Sequence, residues 1–308
     1  MMYLLLLVGF VLLIKGADFF VDGSSSVARL LGVPSVIIGL TIVAMGTSAP
    51  EAAVSITAGL AGSNDIAVSN VIGSNMFNLL MVAGFCAAIR PFAVEEQLLK
   101  RDFPVNLAAN ALIIAFLLNR TISRLEGVSL LVLFALYLSS LVVGALKQRQ
   151  KEESEEKTLS PLLSVVYILG GVAAIVYGGD LVVDNAVLIA QHWGLSETFI
   201  GLTIIAMGTS LPELVTSIVA ARKGESDLAL GNVVGSNIFN LMLILGLSSS
   251  VRPIHAADSA LLNAVLLLLG ITGAIYLICR AKREMTRPIG FACIGTYLAY
   301  TVYLVLMV

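Results

Sequence analysis

Charge is what this sequence has least of. Of 308 residues only 12% are Asp, Glu, Lys or Arg, about half the share in ordinary soluble domains. The formal net charge of −2 offers no field that would steer a polyanion, which removes nucleic-acid binding from consideration. Three cysteines, Cys86, Cys279 and Cys293, stand inside apolar stretches without paired spacing. They suggest neither a disulfide framework nor a thiolate metal site. The two histidines, His192 and His255, fall at loop edges, and no Ser-His pairing or HExxH run is present. An intramembrane hydrolase, which would need a nucleophile–base pair or a metal with an open position, lacks its parts.

What remains is apolar: 58% of the chain is hydrophobic and the mean hydropathy is +0.98. That composition excludes a water-soluble enzyme and points to an integral membrane protein. Ten stretches are long enough to cross a bilayer as helices: 2–20, 36–59, 66–89, 103–119, 126–146, 161–182, 198–221, 228–251, 259–279 and 289–307. They are too long and too uniformly apolar for the alternation of a barrel. MMYLLLLVGF has no basic leader and no small-residue cleavage site, and reads as a retained first span. With the N-terminus outside, the inner loops carry 14 Lys and Arg and the outer loops 3. This bias predicts ten crossings of a cell membrane with both termini extracytoplasmic. Arg90, counted inside, and Arg252, counted outside, form a matched pair that is basic on both faces and so departs from the charge difference seen between other paired loops. The stretch 147–160, KQRQKEESEEKTLS, is a short inner linker with no room for a folded domain.

The strongest internal signal is a repeat. Residues 38–84 and 200–246 align at an offset of 162 without a gap, with 27 identities in 47 positions. Helix composition alone cannot place two Pro-Glu pairs and two Gly-Ser-Asn-x-Phe-Asn runs in register. The chain therefore divides into a five-span unit at 1–146, the linker, and a second five-span unit at 161–308. Five is odd, so the second unit must enter the membrane from the opposite side. Inverted repeats of this kind are a transporter architecture, with substrate held near the midplane on interrupted helices.

Each copy carries a Gly-Thr-Ser-x-Pro-Glu run, Gly46 to Glu51 and Gly208 to Glu213. Proline removes a backbone donor and clashes with the preceding turn, so a broken helix is expected at each. Carbonyls freed at membrane depth are tolerated where they line a protein cavity. Glu51 and Glu213 are the only acids in the middle of their spans, and ionisable groups there are functional candidates. The blander reading is a helix-starting Pro-Glu. In the later run, Ser74 and Asn78, like Ser236 and Asn240, are four apart and share a helix face; such residues also serve as interhelical glue. Asn75 and Asn237 point elsewhere and read as caps of a break. Asp18 and Asp180 read as packing or capping residues, and Asp65 and Asp227 as turn formers. The pooled donors are two carboxylates, amide oxygens, the hydroxyls of Thr47, Ser48, Thr209 and Ser210, and carbonyls. These hard oxygen ligands suit Ca2+ and Na+ and argue against Zn2+, Cu+ or Fe. One Ca2+, or two Na+, would neutralise the two glutamates. Ions competing for one such cavity amount to antiport, with the lipid bilayer as surroundings and neither cofactor nor protein partner implied. A proton-coupled or K+-dependent exchanger and a passive cation channel remain alternatives.

In these paired motifs the chain resembles the calcium/cation antiporter superfamily, in particular its prokaryotic sodium/calcium exchangers. The resemblance implies an all-α fold in which spans two, three, seven and eight form a core. Spans one and six, two long tilted helices, would slide past that core. It places ligands on Thr47, Ser48, Glu51, Ser74 and Asn78, and on Thr209, Ser210, Glu213, Ser236 and Asn240, with backbone carbonyls from Ala44 and Ala206. Some relatives carry aspartate at one or both final motif positions; this chain has Asn78 and Asn240, hence two carboxylates in the site.

Overall fold

The structure, a computed structural model, describes residues 1–62, 64–147, 158–194, 206–255 and 259–307. Helices dominate. Among the described residues, six of them are long and apolar enough to cross a membrane, or seven if the bent pair Ser35–Thr47 and Ala49–Ala61 counts as one span. Among these six, the two with the lowest apolar content are the most enclosed. Ile66–Ile89 and Ser226–Val251 bury 78% and 94% of their apolar windows, whereas the other four bury only 28–33%. An apolar exterior around a more polar interior is the order a bilayer selects, and the reverse of what water selects.

The longest elements are α1 (Met2–Leu31) and α7 (Pro161–His192), of 30 and 32 residues. At ~1.5 Å per residue each is about 45 Å long, well beyond a ~30 Å hydrocarbon core, so both must tilt. The sequence reading ended them at 20 and 182 because polar residues follow; the structure carries them a further 11 and 10 residues. Those polar groups have protein neighbours. Ser24, Ser25 and Ser26 are buried, and Ser164 donates to the Ser26 hydroxyl at 3.2 Å. The two helices run antiparallel along a seam of small residues. A methyl built on Gly9 would meet the Gly178 carbonyl at 2.9 Å, on Gly16 the Ala174 Cβ at 2.9 Å, and on Gly23 the Ser164 carbonyl at 2.9 Å. The heptad spacing of Gly9, Gly16 and Gly23 keeps the seam on one face and lets two backbones touch.

Around the centre, α2 (Ser35–Thr47) bends by 53° into α3 (Ala49–Ala61). Next comes α4, Asn64–Phe77, which passes through a π turn, Asn78–Val82, into Ala83–Ile89. After a π turn at Leu98–Asp102 follow α5 (Phe103–Leu117) and α6 (Arg124–Lys147). The second half repeats the order: α8 (Ala206–Gly208), α9 (Leu211–Lys223), then α10, Ser226–Ile238, passing through a π turn at Phe239–Ile244 into Leu245–Val251. α11 (Ser259–Lys282) and α12 (Arg287–Met307) complete it. Most of the linker, 148–157, and the start of the expected seventh span lie outside the described residues, as does the side chain of Asp65.

Among the described residues, strand structure is confined to two short antiparallel ribbons. β1 (Phe92–Ala93) pairs with β4 (Glu284–Met285), and β2 (Thr121–Ile122) with β3 (Ile254–His255). Each joins a loop of one half to a loop of the other. His255 belongs to the second ribbon, its Nδ1 within 3.1 Å of the Thr121 hydroxyl.

The two arginines that broke the charge pattern have a structural task. α3 and α9 both end on glycines in left-handed conformation, Gly62 (φ 86°) and Gly224 (φ 90°). Arg252 lies over Gly62 and donates to the Leu60 carbonyl at 3.3 Å; Arg90 lies over Gly224 in the same way. Each half thus places a cation at the helix C-terminus of the other, where the last carbonyls are negative. At one end of the molecule α1 is tied to the α9–α10 turn. Lys223 reaches Asp22 at 2.7 Å and Asp18 at 3.5 Å, and Arg29 reaches Glu225 at 2.7 Å. Asp18 therefore belongs to an ion-pair cluster rather than to a helix cap.

Candidate ion-binding site

The centre is built on the two helix breaks. Ser48 and Ser210 precede α3 and α9 with φ/ψ of −81°/12° and −91°/5°, and Pro50 and Pro212 sit in the first turns. Glu51 and Glu213 follow directly, in those same first turns, where a helix carries partial positive charge. The bland and the functional readings of Pro-Glu therefore coexist: both pairs start helices, and both carboxylates are fully buried.

The breaks interlock across the repeat. Ser48 donates to Glu213 Oε1 at 2.7 Å, and Ser210 to Glu51 Oε1 at 2.9 Å. Ser74 and Ser236 approach the same two oxygens at 3.4 and 3.5 Å, at the edge of useful hydrogen bonding. Each carboxylate thus has one oxygen held by a serine from the other half. Glu51 and Glu213 lie within electrostatic reach of each other. Thr209 faces Glu51 and Thr47 faces Glu213; the Thr47 hydroxyl also donates to Asn232 Oδ1 at 3.1 Å. Ala44 is buried, but its carbonyl already accepts the Ser48 N–H at 3.0 Å, so only a second lone pair remains. Ala206 opens α8.

Asn78 and Asn240 enter from α4 and α10 at the π turns, a device common at functional positions. Their orientation is dictated by Asn75 and Asn237. Asn75 Nδ2 donates to the Asn237 backbone carbonyl at 3.1 Å, and Asn237 Nδ2 to the Asn75 carbonyl at 3.2 Å. A carbonyl can only accept, so these bonds decide which way both amides face. Their Oδ1 atoms then accept from Asn240 Nδ2 at 2.9 Å and Asn78 Nδ2 at 3.2 Å. With those NH2 groups occupied, Asn78 and Asn240 are left to present oxygen. Asn75 and Asn237 are therefore not caps; they brace the two halves against each other. A parallel pair also escaped the sequence reading. Asn70 Nδ2 donates to Ser55 at 2.9 Å, and Asn232 Nδ2 to Ser217 at 3.0 Å. The offset of 162 could have singled these residues out, but not their partners.

Among the buried side-chain atoms without a hydrogen-bond partner are four oxygens in repeat-related pairs, Glu51 Oε2 with Glu213 Oε2 and Asn78 Oδ1 with Asn240 Oδ1, and beside them the unmatched Thr209 Oγ1. An unsatisfied buried acceptor costs ~1–3 kcal/mol, more when charged. Two carboxylates and two amide oxygens in repeat-related pairs are chemically suited to a hard cation. Soft metals are disfavoured by the same donors.

Comparison with known proteins identifies the family. The sodium/calcium exchanger protein family matches residues 1–143 and 163–306. The chain belongs to that family. Relatives of the exchanger include "Sodium/calcium exchanger MaX1" of Methanosarcina acetivorans, 33% identical with 98% of both chains covered. "Putative antiporter CaxA" of Alkalimonas amylolytica is 44% identical over 80% of each chain. "Inner membrane protein YrbG" of Escherichia coli is 36% identical over 96% of this chain and 94% of that one. Among solved structures, the sodium-calcium exchanger NCX_Mj superposes on this exchanger with a TM-score of 0.86 and 31% identity, 98% of each chain being covered. The protein is thus a multi-pass membrane protein of the exchanger family.

Proposed function

We propose that this protein exchanges Na+ for Ca2+ across the cell membrane by alternating access, with both ions as substrates of one central site. The observation that carries the reading is that two carboxylate and two amide oxygens, one of each from each repeat-related motif, are buried without a hydrogen-bond partner. In this reading Glu51, Glu213, Asn78 and Asn240 supply the direct ligands, with Thr47, Ser48, Ser74, Thr209, Ser210, Ser236 and the Ala44 and Ala206 carbonyls around them. Two carboxylates balance one Ca2+ or two Na+, so either cargo leaves the cavity neutral and the two cannot share it. That mutual exclusion is the physical content of antiport. Ten crossings in two inverted halves, 1–146 and 161–308, with both termini extracytoplasmic, account for odd-numbered repeats that meet at the membrane centre. The seam between α1 and α7 makes these helices one body, which would slide past the core to expose the site to either side. Extrusion of Ca2+ follows from an inward Na+ gradient.

The test is Ca2+ uptake into proteoliposomes loaded with Na+, with pH clamped equal on both faces. Uptake should require the outward Na+ gradient, and both Glu51→Gln and Glu213→Gln should abolish it while the protein stays monodisperse. Uptake driven by a pH gradient but not by Na+ would refute sodium coupling in favour of protons. Flux without any counter-ion would identify a channel instead.

A further inference from the structure

A cavity away from the central site opens where α11 ends and α5 begins. It has a volume of about 270 Å3 and is lined by Leu99, Lys100, Pro104, Tyr276, Arg280 and Arg283. This is below the ~300–1,000 Å3 typical of drug-sized ligands, a size for a headgroup rather than a whole metabolite. Three of its six lining residues are cations and none is acidic. Lys100 is paired with Glu96 at 2.6 Å. Arg280 donates to the Tyr276 hydroxyl at 2.7 Å, which orients the guanidinium without neutralising it. Neither Arg280 nor Arg283 forms an ion pair among the described residues. The Glu96 carboxyl is held below its usual range by Lys100 first and by Arg283 at longer distance.

The cavity sits at a chemical boundary. One turn earlier on α11, Leu277 and Ile278 are 64% and 39% exposed, an apolar surface for acyl chains. Immediately beyond it come Arg280, Lys282 and Arg283. Two of its three cations are one-sided. Whether the repeat offset is 162 or 163, the counterparts of Lys100 and Arg280 are uncharged, Leu262 or Asn263 and Leu118 or Leu117. Arg283 does have a charged counterpart, Arg120 at an offset of 163, both at positive φ (59° and 61°), so the duplicated architecture leaves only Lys100 and Arg280 unrequired.

We propose that this pocket binds the phosphate of an anionic phospholipid headgroup, such as phosphatidylglycerol, at the water–bilayer boundary. Basic pockets between transmembrane helices recognise such headgroups. An arginine fork matches phosphate oxygens in two bonds, which a lysine cannot do. The proposal needs only that the chain spans a membrane and is independent of which ions are exchanged.

The experiment uses purified full-length protein in neutral detergent, titrated with phosphatidylglycerol, phosphatidylcholine or inorganic phosphate. Native mass spectrometry reads occupancy, and thermal unfolding reads the accompanying shift. Phosphatidylglycerol should bind and raise Tm, and the other two should do neither at equal concentration. Arg280→Gln with Arg283→Gln should weaken phosphatidylglycerol binding on the order of twenty- to thirty-fold, from about a fivefold loss per cation. Lys282→Gln with Arg287→Gln, the same charge removed outside the pocket, should change it less than about threefold. Unchanged Tm without lipid checks that the pocket variant folds. Should it not, Arg280→Lys with Arg283→Lys keeps the charge and should still lose most of the binding through the missing forks. Equal losses in the two glutamine variants, or equal binding of phosphatidylcholine, overturn the proposal. Comparable binding of inorganic phosphate assigns the pocket to a soluble anion and overturns the lipid assignment.

Discussion

Replacing Asn75 by alanine separates orientation from charge at the central site. The substitution deletes the acceptor for Asn240 Nδ2 (2.9 Å) and the donor to the Asn237 carbonyl (3.1 Å), while the bond from Asn237 to the Asn75 backbone (3.2 Å) can persist. Two buried groups lose their partners, at ~1–3 kcal/mol each. A loss of about 2–4 kcal/mol in stability follows once partial relaxation is allowed. For the ion the effect is smaller. The Asn240 amide is no longer obliged to present Oδ1, and one preoriented neutral ligand is worth ~1–1.5 kcal/mol on the net hydrogen-bond scale. Ca2+ affinity should therefore fall about tenfold, with maximal turnover largely retained. Initial rates of Ca2+ uptake into Na+-loaded proteoliposomes, measured over a range of external Ca2+, give KM and maximal rate separately. A tenfold rise in KM supports the brace. An unchanged KM in a folded variant would refute it, and abolition as complete as that of Glu51→Gln would mean the site is misplaced.

Glu95 stands outside the spans, and its carboxyl is pushed up to about 7 by burial, then by Asp227 and Asp102, with Arg101 partly opposing. The folded protein therefore holds a proton that the unfolded chain releases near its ordinary, lower value, so stability from this group is greatest in acid and declines as pH rises toward 7. Glu95→Gln should raise Tm at pH 8 and leave it nearly unchanged at pH 5; a lower Tm at pH 8 would contradict this. Gly171→Leu would drive its Cβ to 2.8 Å from the Gly16 carbonyl and the Phe20 backbone, whereas a Cβ at Gly170 meets nothing within 4 Å. Overpacking of this kind costs ~1–3 kcal/mol or more, so Gly171→Leu should lower Tm by several degrees and Gly170→Leu should not. Equal shifts would show that the α1–α7 seam is looser than described.

Several features were legible in the linear chain because each rests on a local or periodic cause. Proline and glycine announce the breaks at Ser48 and Ser210, acids at mid-span announce Glu51 and Glu213, and the 162-residue offset pairs them. The membrane setting followed from composition, and the helical class from the length of the uniformly apolar runs. What only the tertiary structure decided involves residues far apart in sequence. Nothing near Asn75 indicates that its amide will meet Asn237, 162 positions away, so a capping role looked natural for it. Arg90 and Arg252 appeared as exceptions to a charge rule until each was found over the helix end of the opposite half. The polar stretch after Phe20 suggested the end of a span until Ser26 met Ser164. Local sequence encodes propensity and hydrophobicity, which act over a few residues; which donor finds which acceptor depends on how two folded halves are brought together, and that is a property of packing.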